Sequence, residues 1–123
     1  MSSGQNRIAE TLDTDYYAVI FTSIRTDDDR GYGQMADRMV RLTSQMPGFL
    51  GADSGGDSDG LGITVSYWKS EDAIECWKAH SQHQVAQAAG KTTWYTEYAL
   101  RVATVERAYG KISELAEAAD DQR

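Results

Sequence analysis

Hydrophobic and polar positions divide this chain into six elements. Tyr16 to Arg25 carries Tyr16, Tyr17, Val19, Ile20, Phe21 and Ile24 almost without interruption. Such a β-branched and aromatic run predicts a strand buried on both faces. Thr26 to Asp29 supplies turn chemistry, and Asp27, Asp28 and Asp29 are each suited to favour a helix N-terminus. Tyr32, Met35, Met39, Leu42 and Met46 then recur at three- and four-residue steps. That spacing predicts an amphipathic helix from about Arg30 to Gln45, with Arg38 and Arg41 on its wet side. Pro47-Gly48 stops it.

Phe49 to Ser54 reads as a short second strand, Gly55 to Gly60 as a hairpin loop, and Leu61 to Trp68 as the third strand. The short connection requires antiparallel pairing. Ser70 caps a second long helix with Glu71 and Asp72 in its first turn and Ala73, Ile74 and Trp77 facing inward. Ser81 to Ala89 continues or restarts that helix, and Gly90 fits its C-terminal cap. Trp94 to Tyr109 is the final strand. Tyr98, Leu100, Val102 and Thr104 share one face, and Ala99, Arg101, Ala103 and Val105 the other. Residues 110–123 follow as a tail, with Ile112, Leu115 and Ala116 on one side of a short amphipathic stretch.

The order β-α-β-β-α-β predicts an α+β, ferredoxin-like split arrangement with a four-stranded antiparallel sheet. Both helices cover one face of that sheet. The other face also carries apolar residues, and one chain has nothing left to cover them. A second copy does, sheet against sheet, so a homodimer is expected. The domain spans residues 15–109, preceded by a flexible arm over 1–14.

Composition narrows the function. With 123 residues the chain is one domain, and its net charge of −7 argues against nucleic acid and against anionic membranes. No apolar run is long enough to span a bilayer, and residues 1–14 lack the apolar stretch of a secretion signal. The single cysteine, Cys76, gives no internal disulfide and reads first as a small packing residue, with a thiol activated by His80, one helical turn on, as the alternative. Together these point to the cytoplasm. Gly55-Gly56 is followed by neither a lysine nor a helix, so it is not a phosphate loop. No spacing marks a metal site, so no metal, flavin or nucleotide is expected.

Candidate chemistry concentrates at one corner. Tyr67, Trp68 and Trp77 surround the junction between the third strand and the second helix, and the only histidines, His80 and His83, follow. These are the chain's only side chains that titrate near neutrality in an unperturbed setting. A cavity is expected between sheet and helices, bounded by Trp68, Trp77 and the segment around His83. Tyr32, between Gly31 and Gly33, would close one side as a gate.

The string Met46-Pro47-Gly48-Phe49-Leu50-Gly51, the string Ile63-Thr64-Val65-Ser66-Tyr67-Trp68-Lys69-Ser70 with Ala73-Ile74 and Trp77, and the set His80, His83, Ala86-Gln87, Gly90 and Trp94-Tyr95 carry a resemblance. Over residues 16 to 109 the chain resembles the antibiotic-biosynthesis-monooxygenase type of dimeric α+β barrel. The resemblance implies one of several activities. Haem-degrading members match at Trp77, but their histidine ligand falls near Gln87 here, and their first-strand asparagine is missing: the only asparagine is Asn6. The quinone-forming branch oxidises electron-rich phenols with O₂ and without metal or flavin. It implies a small aromatic ligand walled by Tyr32, Tyr67, Trp68, Trp77 and Trp94, with His83 or His80 taking the proton and Arg101 holding the anion. A non-catalytic small-molecule-binding or stress-response protein would use the same pocket.

Overall fold

The computed structural model describes residues 8–12, 14–27, 31–87 and 94–111, and the side chains of residues 82–87 lie outside that description. Its elements are β1 (Tyr16–Arg25), α1 (Tyr32–Ser44), β2 (Phe49–Gly56), β3 (Leu61–Trp68), α2 (Glu71–Gln87) and β4 (Tyr95–Val105). The four strands form one antiparallel sheet in the order β2-β3-β1-β4. This is the expected α+β, ferredoxin-like arrangement.

Most boundaries follow local chemistry. The Ser70 hydroxyl accepts the Ala73 N–H at 3.1 Å, as an N-cap should. The helix it caps runs unbroken to Gln87. The first helix differs from expectation. Its N-cap is Gly31 at φ 75°, with no side-chain cap and no acidic residue in the first turn. Asp27 therefore precedes the cap rather than making it, and Asp28 and Asp29 lie outside the described residues. β2 runs two residues further than its polarity suggests, because pairing with β3 carries it to Gly56. β4 is shorter than expected, ending at Val105 opposite Tyr16, the first residue of its partner β1.

Strand register sorts the sheet into two faces. Tyr17, Val19 and Phe21 of β1 lie beside Trp68, Ser66 and Thr64 of β3 and beside Thr104, Val102 and Leu100 of β4. This is the helix side, because the main core joins Val19 and Trp68 to Ile74 of α2. Tyr17, Met46, Phe49, Ala73 and Trp77 pack around that core. A second cluster, Met35 with Trp94, gathers Tyr32, Met39 and Tyr95 at the other end of the helix side. The methionine stripe therefore serves packing, as its spacing implies.

The opposite face is bare at one end, where Ile24, Leu61 and Ile63 are exposed at 36%, 41% and 43%. At its other end residues of the N-terminal segment lie against the sheet. The Ala9 N–H donates to Asp53 Oδ1 at 2.6 Å, and Thr11 Oγ1 donates to the Tyr16 hydroxyl at 2.7 Å. Residues 9 and 11 of the expected arm thus reach the sheet, where Asp53 supplies a half-buried carboxylate acceptor. Residues 1–7 and 112–123 lie outside the described residues.

Candidate active site

Trp68 ends β3 with no exposed surface. Its ring contacts Phe49 at 5.3 Å and Trp77 at 5.4 Å between centroids, and its indole N–H donates to Ser66 Oγ at 2.9 Å. An apolar ring closed in this way is core. Trp68, expected as a ligand contact, is placed in the core between the sheet and α2, with no exposed surface. Trp77 is only half-buried, and its indole N–H reaches Thr43 Oγ1 at 2.9 Å, tying α2 to α1.

Two further expectations fail on register. Arg101 pairs with Ile20, and Tyr67 with Ala18. Both therefore lie on the face away from the helices, since alternate residues of a strand point to opposite sides. Tyr67 is engaged there, donating to Asp53 Oδ2 at 2.7 Å. Burial, and then the Asp53 hydrogen bond, push its phenol well above the usual tyrosine range. Neither side chain can join Trp77 and Trp94, because the sheet separates them.

His80 is exposed on α2, with Nδ1 2.9 Å from the Cys76 carbonyl oxygen and 4.0 Å from its Sγ. It does not face the sheet core. His83 lies on α2, and its side chain is outside the described ones.

What the fold does assemble is an aromatic nest where β1 ends and β4 begins. The β1–β4 register shifts between Ile24 and Arg25, which sets Tyr95 opposite Arg25 and Tyr98 opposite Ser23. Both tyrosines therefore join Phe21 on the helix side, at ring distances of 5.5 and 6.0 Å. Trp94, just before β4, is buried against Met35 and meets Tyr32 edge-on at 5.7 Å. Its carbonyl accepts the Thr26 N–H at 2.8 Å and Arg25 Nε at 3.2 Å. The Arg25 guanidinium then lies 3.4 Å above the Tyr32 ring, a close cation–π contact. Tyr32 is thus held between Arg25 and Trp94. Gly33 falls inside α1, which leaves Gly31 alone to make the turn, and Tyr32, expected as a gate, forms a wall of the nest.

Beside this nest the helix side is uncovered. Tyr98, Leu100 and Val102 are exposed at 65%, 48% and 55%, next to half-buried Phe21. The strip is apolar along its floor and phenolic at one end. A wide depression of about 350 Å³ at Pro47, Lys69, Ser70, Asp72 and Cys76 lies elsewhere and carries no aromatic lining. Among the described residues no group of three or more His, Cys, Asp or Glu side chains comes together as a metal site. No helix among them is long and apolar enough to cross a membrane.

Of the residues expected to form the site, the structure brings together Tyr32 and Trp94, whereas Trp77 packs in the main core beside Trp68. Arg25, Tyr95 and the exposed role of Tyr98 were missed. Parity alone puts Arg25 in line with Phe21, and that signal was readable. The register shift that aims Tyr95 at Tyr32 was not, because no local residue pattern marks it.

Residues 15–89 match the antibiotic biosynthesis monooxygenase family. The uncharacterized protein YqjZ of Bacillus subtilis (strain 168) is 51% identical over 100 residues, which cover 81% of this chain and 88% of that protein. Among solved structures, the backbone is similar to SnoaB, a cofactor-independent oxygenase from Streptomyces nogalater. The TM-score is 0.63 and the identity 13%, over 79% of this chain and 99% of that one. It is also similar to Rv0793 from Mycobacterium tuberculosis, with a TM-score of 0.59 and 20% identity, over 80% of this chain and 99% of that one. At these identities the structural likeness shows the fold alone. The sequence match covers more than half of the chain, and the chain therefore belongs to the antibiotic biosynthesis monooxygenase family.

Proposed function

We propose that this protein is a cofactor-independent monooxygenase that oxidises a small, electron-rich aromatic compound with O₂. The carrying observation is the exposed apolar strip of Tyr98, Leu100 and Val102 beside the aromatic nest on the helix side. A contiguous exposed apolar patch rimmed by polar groups is the kind of surface that ligand-binding grooves present. Family membership and a fold shared with a cofactor-independent oxygenase support the same reading.

The chemistry asks little of the protein beyond binding and proton control. Triplet O₂ reacts slowly with closed-shell molecules, whereas an electron-rich phenolate passes it an electron. In the overall reaction a ring CH₂ of the phenol's keto tautomer becomes C=O. One oxygen atom of O₂ enters the product and the other leaves as water with the two hydrogens. The substrate supplies all the electrons. The strip would hold the flat ring, and His83 on α2 would take the phenolic proton. A second copy of the chain would cover the bare sheet face at Ile24, Leu61 and Ile63.

A non-catalytic binding protein is the second reading. One observation favours it: the only histidine whose side chain is described, His80, is exposed and set toward the Cys76 backbone. Oxygen consumption with a panel of anthrones, naphthols and dihydroxynaphthalenes separates the two. The enzyme reading expects turnover that falls at least about a hundredfold in His83→Ala, in line with loss of a general base. Saturable ligand binding without oxygen uptake by any of them would leave the binding protein.

A further inference from the structure

We infer that Tyr32 and Tyr95 together form the subsite that holds a ligand's anionic oxygen, an assignment that rests on the strip proposed above. The two phenolic oxygens are 3.4 Å apart, with Tyr95 donating to Tyr32. A good O–H···O bond is shorter, at about 2.7 Å. The pair is too wide for a strong mutual bond and close enough for one acceptor atom to lie about 2.7 Å from both. Each phenol has one O–H, so the Tyr95 hydroxyl turns from Tyr32 to the bound atom; two donors then converge on one point, as an oxyanion requires.

Charge and protonation agree with that geometry. At the strand positions facing the helices, Arg25 is the only lysine or arginine among the described residues, and its guanidinium lies 3.4 Å over the Tyr32 ring. Arg101, the cation first expected to hold an anion, is on the other face. Burial, and then the bond to Tyr32, raise the Tyr95 phenol above the usual tyrosine range, so it stays a donor at neutral pH. Phe21 and Tyr98 flank Tyr95 at 5.5 and 6.2 Å between ring centroids. A flat ring lying along Tyr98 and Leu100 would therefore bring its own oxygen to the hydroxyl pair. The ligand class is a planar aromatic carrying an ionisable hydroxyl group.

The test is binding, not turnover, so it can fail separately from the oxidation reading. The probes are 4-nitrophenol, in mildly alkaline buffer where it is ionised, and its methyl ether 4-nitroanisole, which cannot ionise. Affinities are read by calorimetry for the full-length protein and for Tyr32→Phe, Tyr95→Phe and Arg101→Ala. Wild type should prefer the phenolate. Each Tyr→Phe variant should lose about ten- to a hundredfold in phenolate affinity, as expected for a hydrogen bond to a charged acceptor, and keep its affinity for the ether. Arg101→Ala should match wild type with both probes. Thermal melts of the variants confirm that they are folded, and both replacements keep the ring. Unchanged phenolate affinity in the two Tyr→Phe variants, or equal loss of both probes, overturns the assignment. Wild type binding neither probe removes the strip itself and the subsite with it.

Discussion

Replacing Ser66 with alanine tests whether Trp68 is core, as the structure has it. Ser66 is 7% exposed, and its hydroxyl accepts the indole N–H of a tryptophan with no exposed surface. Ser66→Ala removes the acceptor without touching the ring. The N–H cannot turn to water, so the cost is that of an unsatisfied buried donor, about 1–3 kcal/mol. Against a total stability of about 5–15 kcal/mol this is a large fraction. Urea unfolding followed by circular dichroism, at one fixed protein concentration, should show a midpoint lower by on the order of 1 M with an unchanged slope. Trp68→Phe supplies the control, because it deletes the N–H and keeps an aromatic ring. In that background Ser66→Ala should be close to neutral or slightly stabilising, since the serine hydroxyl itself is then buried without the indole partner. Equal costs for Ser66→Ala in both backgrounds, or no cost in either, would refute the reasoning. Absence of any cost would mean that water reaches the Trp68 N–H, and its candidacy as a ligand surface would reopen.

Other outcomes follow from single features. Gly48 sits at φ +86°, and a Cβ there would come within 2.7 Å of the Ala73 Cβ; Gly48→Ala should destabilise by roughly 1–3 kcal/mol in the same urea assay, through strain and a displaced first turn of α2. Tyr67 and Tyr95 are both held protonated by burial above the ordinary tyrosine value of 10.0, so their contribution to stability is fully present below that pH and is lost as pH rises past it. Ultraviolet phenolate titration should therefore show late-ionising tyrosines, and Asp53→Ala should bring one of them back toward the ordinary value; a uniform titration in wild type would refute this. Light scattering at micromolar concentration should give twice the chain mass, because the bare sheet face needs a partner; a stable monomer would exclude that pairing.

The architecture was legible because it rests on periodicity. A strand buried on both faces cannot hide its Val, Ile and Tyr content, and a helix lying on a sheet repeats its apolar residues every three or four positions. The same parity sorted β4 correctly, with Leu100 and Val102 on one side and Arg101 on the other. The sequence by itself thus determined the element order, the antiparallel sheet and the two faces. It left undecided which face of β4 meets the helices, and with it the side on which Arg101 falls. It also left undecided how deep each aromatic lies: Trp68 and Trp94 look alike in the chain, yet one closes the core beneath α2 and the other forms a wall of the nest with Tyr32. Depth depends on what packs above a side chain, and that partner comes from a distant part of the sequence. Only the tertiary structure made Arg25, Tyr32 and Tyr95 neighbours. The cause is a one-residue slip between β1 and β4 at Ile24 and Arg25, and pairing between distant strands has no local signature in the residues that carry it.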